Sequence, residues 1–347
     1  MPSTHLITGA TGLIGAALLL HLAQHTDDEF VCLVRPPADR LPSILGRAGE
    51  AYGVRPETVA SALARTRVLE TDLTAALPSL NVSRPEIWHC AALLHFRPAL
   101  WRPTFRTNVQ GTRRLLELAR RLDASAFNYF STAYVAGTTT GTIKEAPASP
   151  STARTPYELS KIAAERLLTN APDIPVRILR PSVVVGHSTT LAYPGTPSGA
   201  YTIQQLLAAH YRVVPPPTTH PRIQALPLEP FNIVPIDHVV AEAHELSTAG
   251  ETGIFHLTNP TPPTTDALLT ALLANCGVPP ASYTHTPDPV LRMTLGVYGP
   301  FLNNPQHFAR TRPGVPWMPD QGTLRAMFRP WADRSVGGSP RPPDEPA

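Results

Sequence analysis

A glycine-rich segment near the start of the chain constrains the fold more than any other feature of the sequence. The segment Gly9-Ala10-Thr11-Gly12-Leu13-Ile14-Gly15 follows a predicted strand, His5 to Thr8, and opens a predicted helix, Leu13 to Gln24. In such a strand–loop–helix unit the glycines permit a tight turn, close approach by a pyrophosphate, and close packing of helix on strand. The helix N-terminus also presents free N–H groups and a partial positive charge to phosphates. The segment therefore predicts a dinucleotide-binding loop.

Strand-like and helix-like segments alternate through the rest of the first half. Strands are predicted at Phe30–Val34, Arg67–Glu70, Glu86–Cys90, Ala126–Ser131 and Val176–Leu179, with helices at Pro56–Ala64, Phe105–Leu122 and Pro156–Leu168. This alternation implies βαβ units and a parallel sheet covered on both faces. We therefore expect an α/β protein, a Rossmann doubly wound parallel sheet with a smaller interleaved C-terminal substrate-binding region.

The pattern changes after Pro181, because the 41 prolines concentrate in the second half of the chain. Helices are still predicted at Tyr201–Tyr211, Asp237–Ser247 and Thr264–Asn275, with strands at Asn232–Val234 and Ile254–Leu257. We predict that residues 1–186 form the dinucleotide-binding domain and that 231–259 return to its sheet. Residues 187–230 and 260–334 are then the substrate-binding region, and 335–347 a disordered tail.

The composition is that of a large globular protein. Hydrophobic residues make up 42% of the 347 residues and charged residues 16%, which suffices for a sizeable core. The formal net charge is only +3 and no Lys/Arg block stands out, which argues against a nucleic-acid partner. Three cysteines, Cys32, Cys90 and Cys276, lie far apart and form no metal-binding pattern.

No segment has the pattern of a membrane span or a signal peptide. The most apolar run, Leu13 to Ala23, contains a histidine and is shorter than the roughly 20 residues that a spanning helix needs. We expect a soluble, cytoplasmic protein with no metal and no membrane partner.

Two charged residues at strand ends bear on which dinucleotide would bind. An NAD enzyme usually carries Asp or Glu for the ribose hydroxyl about 20 residues past the loop. Here the second strand ends in Arg35, a cation that suits a 2′-phosphate and favours NADPH; the alternative is a solvated loop charge. Asp72, after the third strand, either accepts a hydrogen bond from the adenine amine or caps a helix.

The segment Tyr157-Glu158-Leu159-Ser160-Lys161 carries the strongest signal for catalysis. It places a tyrosine and a lysine four residues apart, on one face of a predicted helix. A lysine ammonium beside a phenol lowers the pKa of the phenol, which makes the tyrosine a usable general acid. The lysine can also hold a cofactor ribose. The preceding strand ends in Ser131-Thr132, and we expect the hydroxyl of Thr132, or alternatively that of Ser131, to hydrogen-bond a reacting carbonyl oxygen.

Together these segments give the chain a family resemblance. It resembles an extended short-chain dehydrogenase/reductase, and within that superfamily the thioester reductase and fatty acyl reductase branch, which is male sterility-like and similar to the reductase domains of carboxylic acid reductases and nonribosomal peptide synthetases. The segments that carry the resemblance are Thr8–Gly15, Cys32–Arg35, His89–Ala92, Asn108–Thr112, Phe130–Val135, Pro156–Lys161, Arg180–Gly186, Val234–Val240 and Phe255–Asn259.

The resemblance implies a role for each matching position. The implied catalytic residues are Thr132, Tyr157 and Lys161, with Ser131 and Asn108 at or near the active site. The implied cofactor contacts are Gly9, Thr11, Gly12, Leu13, Ile14 and Gly15 for the pyrophosphate, Arg35 for the 2′-phosphate, Asp72 and Leu73 for the adenine, Ala91, Ala92, Pro181, Ser182 and Val183 for the nicotinamide side, and Tyr157 and Lys161.

The implied activity is NADPH-dependent reduction of an acyl thioester on a carrier protein or CoA, which releases an aldehyde, with further reduction to the alcohol left open. The alternative is a dehydrogenase, ketoreductase or epimerase of a free small molecule, such as a hydroxysteroid-like alcohol or a nucleotide sugar. The complete Thr/Tyr/Lys set argues against a non-catalytic NADPH-binding regulator.

Both a monomer and a homodimer are compatible with the sequence. The pairs Arg113-Arg114 and Arg120-Arg121 are interpreted as a solvated helix face, or as a docking surface for an acidic carrier protein.

Overall fold

A computed structural model describes residues 3–215 and 219–332 of the chain. The predicted tail, 335–347, lies outside the described residues. The chain divides into two compact units, each described by itself below. The first runs through Gly195 and takes in Val234–Pro260 and Phe308–Val315; the second comprises Thr196–Ile233, Thr261–His307 and the described residues from Pro316. The assignment of the second unit to substrate binding stays a prediction.

The first unit is built on a seven-stranded sheet. Its strands are β1 (Thr4–Thr8), β2 (Glu29–Val34), β3 (Thr66–Glu70), β4 (Glu86–His89), β5 (Ala126–Phe130), β6 (Val176–Pro181) and β7 (Gly253–Leu257). Their order is β7-β6-β5-β4-β1-β2-β3, and neighbouring strands are parallel. Because the strand order reverses between β1 and β4, the carboxyl ends of these strands flank a crevice, the usual ligand site of such sheets. The Rossmann fold predicted from the sequence is confirmed.

Helices cover both faces of this sheet. Those of the first unit are α1 (Leu13–His25), α2 (Leu41–Tyr52), α3 (Pro56–Ala64), α4 (Trp101–Phe105), α5 (Gly111–Arg121), α6 (Pro156–Thr169) and α8 (Ile236–Thr248). The apolar sides of α1, α2, α3 and α8 share one core cluster, and those of α5 and α6 share another. Short strands at Gly141–Ile143 and Val183–Val185 lie outside the main sheet. Two more, Ile233–Pro235 and Gln306–Phe308, include the positions where the chain passes from the second unit to the first.

Alternation along the strands explains the two core clusters. In β1, Ile7 belongs to the α1 side and Leu6 to the α5 side; in β2, Cys32 belongs to the first cluster and Leu33 to the second. Successive side chains of a strand point to opposite faces, so a strand buried on both faces must be apolar throughout.

The second unit is mostly helical. It contains α7 (Ala200–Val213), α9 (Thr265–Ala274), α10 (Pro289–Leu295), α11 (Gly299–Leu302), α12 (Gln321–Ala332) and a parallel pair of two-residue strands, Arg222–Ile223 and Ser282–Tyr283. Tyr201 of α7 packs on the ring of Phe328 in α12, with 4.8 Å between ring centroids. In the part of the chain that is described, no helix is both long and apolar enough to cross a membrane.

Two elements differ from the sequence-based expectation. The predicted helix Phe105–Leu122 is divided into α4, a π-helical turn over Arg106–Gln110, and α5. The π turn lies ahead of Leu115, Leu116 and Leu118, whose spacing predicted the helix, so that spacing does not reveal it. Helix α2, with Pro42 in its first turn, was not predicted, because proline there resembles a loop signal although the first turn tolerates it.

Candidate active site

Two positions of the glycine loop, Gly9 and Gly15, have a backbone conformation or surroundings that only glycine allows. Gly9 has φ of +72°, in the left-handed region, and a Cβ there would lie 2.6 Å from the backbone nitrogen of Ala91. A Cβ at Gly15 would overlap the carbonyl oxygen of Gly9. The loop is closed by a 2.8 Å hydrogen bond from the Gly12 N–H to the Gly9 carbonyl. The result is a bare backbone surface that a phosphate can approach.

The N-terminus of α1 completes this surface. Gly12 is the capping residue, no side chain caps the helix, and no acidic residue lies in its first turn. The partial positive charge of the helix end therefore meets no protein carboxylate within that turn. Thr11, Leu13 and Ile14 are half-buried around the loop. This cradle fits the pyrophosphate of a dinucleotide.

Arg35 and Asp72 lie at the ends of β2 and β3. Arg35 is exposed, and the Asp72 carboxylate accepts a 2.6 Å hydrogen bond from the Thr74 N–H. Partial burial opposes the charge on Asp72, but the bonds from Thr74 and the charges of Arg35 and Arg106 outweigh it and lower its pKa. Arg106 was not singled out from the sequence, because the π turn that carries it is not visible there. Leu73 is buried.

His89, at the end of β4, links Thr8, the residue before the glycine loop, to Thr112 on α5. It is fully buried; its Nδ1 lies 2.7 Å from the Thr8 hydroxyl and its Nε2 2.9 Å from the Thr112 hydroxyl. Burial, and then the charge of Lys161, lower its pKa to about 3, so the imidazole is neutral.

The direction of this hydrogen-bond chain follows from its acceptors. The Thr112 hydroxyl donates to the Asn108 carbonyl at 2.6 Å, so it must accept from Nε2–H of His89. Nδ1 then carries the lone pair and accepts from the Thr8 hydroxyl, which itself accepts from the Ala91 N–H at 3.3 Å. The sequence pattern did not reveal this chain of hydrogen bonds, because His89 is 81 residues from Thr8 and 23 residues from Thr112.

Asn108 lies in the π turn and holds two other segments. Its side chain accepts from the Leu93 N–H at 2.7 Å and donates to the Leu93 carbonyl at 3.0 Å. It also donates to the Ser160 hydroxyl at 2.9 Å, which donates to the Tyr157 carbonyl at 2.7 Å. Asn108 thereby fixes the first turn of α6 against the chain that leaves β4.

Tyr157 and Lys161 lie on α6, next to the end of β5. The Lys161 ammonium donates a 2.6 Å hydrogen bond to the Phe130 carbonyl and lies 5.9 Å from the centroid of the Tyr157 ring. Thr132 follows β5, and its hydroxyl accepts from the Tyr134 N–H at 3.2 Å. The neighbouring Ser131 hydroxyl is buried and has no hydrogen-bond partner in the described part of the chain.

Burial sets the proton affinities of the pair. It raises the pKa of the Tyr157 phenol, with a smaller contribution from the charge of Glu158. It lowers the pKa of Lys161 from 10.5 to about 7, against the opposing effects of Glu165 and Cys90. The expected lowering of the Tyr157 pKa by Lys161 is therefore not what this structure shows; desolvation of the phenol is the larger effect.

The sequence-selected positions gather at one edge of the sheet. They follow the carboxyl ends of six strands, as Gly9–Gly15 after β1, Arg35 after β2, Asp72 and Leu73 after β3, Ala91 and Ala92 after β4, Ser131 and Thr132 after β5, and Pro181, Ser182 and Val183 at the end of β6. Asn108, Tyr157 and Lys161 reach the same region from helices. A nucleotide cradle and a Tyr/Lys pair on one sheet edge define an oxidoreductase of the short-chain dehydrogenase/reductase type.

Comparison with known proteins places the chain within this class. The family model described as male sterility protein matches residues 7–243, and the chain belongs to this family, in the thioester reductase branch of the extended short-chain dehydrogenases/reductases.

Individual relatives include parts of large synthases. The chain is 30% identical over 285 residues, 75% of its length, to glycine betaine reductase of Emericella nidulans, and 31% identical over 204 residues, 54% of its length, to isonitrile lipopeptide synthase of Streptomyces coeruleorubidus. It spans only 21% and 14% of those proteins. A solved terminal R domain from the myxalamid PKS-NRPS pathway is 26% identical, with a TM-score of 0.72 over 94% of this chain and 89% of that one.

Proposed function

We propose that the chain is an NADPH-dependent reductase of acyl thioesters carried by a carrier protein or CoA, and that it releases an aldehyde. The observation that carries this proposal is the Tyr157/Lys161 pair beside Thr132, in a family that includes the terminal reductase domain of a PKS-NRPS pathway. The similarity to a glycine betaine reductase agrees with a reductive activity.

The residues that would hold the cofactor are the glycine loop, Arg35 at the 2′-phosphate and Lys161 at the ribose. When bound, NADPH supplies the hydride. The overall reaction converts a thioester, NADPH and one proton into an aldehyde, a free thiol and NADP⁺. Reduction at the acyl carbon gives a tetrahedral hemithioacetal, whose carbon–sulfur bond then breaks.

Each catalytic side chain has a separate task. Tyr157 gives its phenolic proton to the oxygen of the carbonyl as negative charge develops there. Thr132 donates a hydrogen bond to the same oxygen, which helps to stabilise the developing charge. Lys161, as the ammonium, stabilises the phenolate that remains on Tyr157. Because burial raises the pKa of Tyr157, the phenol is fully protonated before the reaction, as a general acid must be.

A substrate panel tests the proposal directly. NADPH oxidation would be followed with acyl-CoA and acyl-pantetheine thioesters, and with the matching free aldehydes and ketones, while thiol release is measured in parallel. We expect turnover of thioesters with stoichiometric thiol. Turnover of free carbonyls alone would replace this proposal with a dehydrogenase or ketoreductase of small molecules.

Removing one hydroxyl tests the role of Tyr157. In Tyr157→Phe we expect kcat to fall by about 10²–10⁴-fold, because the general acid is lost, with NADPH affinity unchanged within about twofold. Tyr52→Phe is the matched control, since the Tyr52 hydroxyl makes no hydrogen bond in the described residues. Full activity of Tyr157→Phe would exclude the assigned role.

A further inference from the structure

A surface beside the catalytic residues takes no part in the mechanism above. It is formed by residues 94–106, which include the 3₁₀ turn Pro98–Leu100 and α4, and is called here the 94–106 surface. Between Glu86 and Glu117 the chain carries five arginines and no acidic residue. Arg97, Arg102 and Arg106 of this stretch are exposed, and their guanidinium groups make no hydrogen bond or ion pair in the described residues.

The 94–106 surface also exposes apolar and aromatic side chains. Trp101 is 50% exposed and Leu94 44% exposed. The Arg102 guanidinium lies over the Trp101 ring, 5.5 Å from its centroid. Tryptophan and arginine are the residue types most enriched where protein–protein interfaces concentrate their binding energy.

The inner side of the same segment touches the active site and is held in place. The Phe96 ring meets the Tyr157 ring edge to face, with 6.3 Å between centroids. Upstream, Asn108 bonds both the N–H and the carbonyl of Leu93. Downstream, the buried Thr104 donates to the Leu100 carbonyl at 2.7 Å. A ligand bound on the outer side would therefore lie one residue layer from the catalytic tyrosine.

The arginines of α5 are a weaker candidate for the same task. Arg120 is ion-paired with Asp173 at 2.7 Å, and Arg114 is directed to the Leu73 carbonyl at 3.4 Å. The charges of Arg114 and Arg120 are thus partly compensated or turned inward, unlike those of Arg97 and Arg102.

We propose that the 94–106 surface docks the acidic carrier-protein domain that delivers the acyl thioester. The inference rests on the proposed function, because a carrier-bound substrate needs a protein surface next to Tyr157. Charge complementarity identifies the partner: the uncompensated charges of Arg97 and Arg102, beside exposed apolar side chains, attract an acidic protein face and repel a basic one. The phosphates of CoA carry the same sign of charge and are distinguished by experiment.

The test compares one acyl group on three thiols: pantetheine, CoA and an isolated acyl carrier protein. The acyl group is one that the substrate panel shows to be reduced. The variant is Arg97→Glu/Arg102→Glu, and the matched control is Arg55→Glu/Arg67→Glu, which reverses the charge of two other exposed arginines. Arg106 is left unchanged because its charge also acts on Asp72.

We expect the KM of the carrier-bound thioester to rise about tenfold or more in the variant, with kcat unchanged and with the salt dependence of kcat/KM reduced. The pantetheine and CoA thioesters and the control variant should behave as the wild type does. An equal loss with pantetheine would mean that the substitutions damage the site. A larger loss with CoA than with the carrier would assign the surface to nucleotide phosphates. Either result, or unchanged kinetics with the carrier, overturns the proposal.

A binding measurement separates this proposal from the proposed function. The affinity of the unloaded carrier protein for wild type and variant is measured by calorimetry, which needs no turnover. If no thioester is reduced, the proposed function fails. If the variant binds the carrier as tightly as the wild type does, the docking surface is overturned as well. Binding that is lost only in Arg97→Glu/Arg102→Glu supports the surface.

Discussion

At the scale of single residues, His89 shows how one neutral imidazole can connect the end of β1, next to the glycine loop, with α5. In His89→Leu the buried hydroxyls of Thr8 and Thr112 each lose a partner, which costs about 1–3 kcal/mol per group. We expect a lower free energy of unfolding in urea and a higher Kd for NADPH. His89→Gln, whose amide has both a donor and an acceptor, should recover part of each loss. Wild-type stability of His89→Leu would contradict the assigned network.

The residues proposed to do the chemistry have a clearer signature in the sequence than the residues that position them. Tyr157 and Lys161 carry a local signature, because four residues on a helix bring them to one face. The task of Asn108 depends on Ser160 and Leu93, which lie 52 and 15 residues away from it. Such links become visible only when the fold has brought strand ends and helix starts together.

At the scale of elements, α1 and α8 meet through histidines. The His21 ring stacks on His25 with 4.2 Å between centroids, and its Nε2 lies 3.2 Å from Nδ1 of His244. Burial and the charges of His25 and His244 lower the pKa of His21 from 6.5 to about 4. Burial likewise lowers the pKa of His244. The contact between α1 and α8 therefore favours the neutral form of these imidazoles.

The sign of the pH dependence follows. A histidine whose pKa is lower in the folded state than in the unfolded state contributes its full stability when the pH is above the pKa of the unfolded state. That contribution is lost as the pH falls from 6.5 toward 4. In His21→Gln this loss is absent. Between pH 7 and pH 5 we expect the free energy of unfolding to fall by about 1 kcal/mol less in the variant than in the wild type, allowing for partial solvent screening. Urea unfolding at both pH values checks this; parallel losses would refute it.

The π turn between α4 and α5 is a feature that the hydrophobic pattern did not predict. The spacing of Leu115, Leu116 and Leu118 fits one helix, and that part is helical as predicted. The turn ahead of it is set by the contacts that Asn108 makes with Leu93 and Ser160. Hydrophobic periodicity predicts which side of a helix is buried. It does not predict that a polar side chain will form hydrogen bonds with a neighbouring segment.

At the scale of the whole molecule, the residues proposed to hold the cofactor follow the ends of six strands in one sheet, so cofactor binding should stabilise the fold as a whole. A ligand that binds only the native state stabilises it by about 2.7 kcal/mol at 100 times its Kd. If Arg35 contacts the 2′-phosphate, NADPH must stabilise more than NADH at equal concentration. We expect Tm to rise by several degrees with NADPH and by less with NADH.

The substitution Arg35→Ala separates the 2′-phosphate contact from the rest of the site. It should lower the Tm increment of NADPH to that of NADH and leave the NADH increment unchanged, because only the 2′-phosphate distinguishes the two. Arg55→Ala, another exposed arginine, is the control and should keep the wild-type difference. Gly15→Ala should abolish both increments, because its Cβ would overlap the Gly9 carbonyl and reshape the loop. An unaltered NADPH preference in Arg35→Ala would leave Arg35 as a solvated charge and move the search for the 2′-phosphate contact to Arg106, whose charge also reaches Asp72.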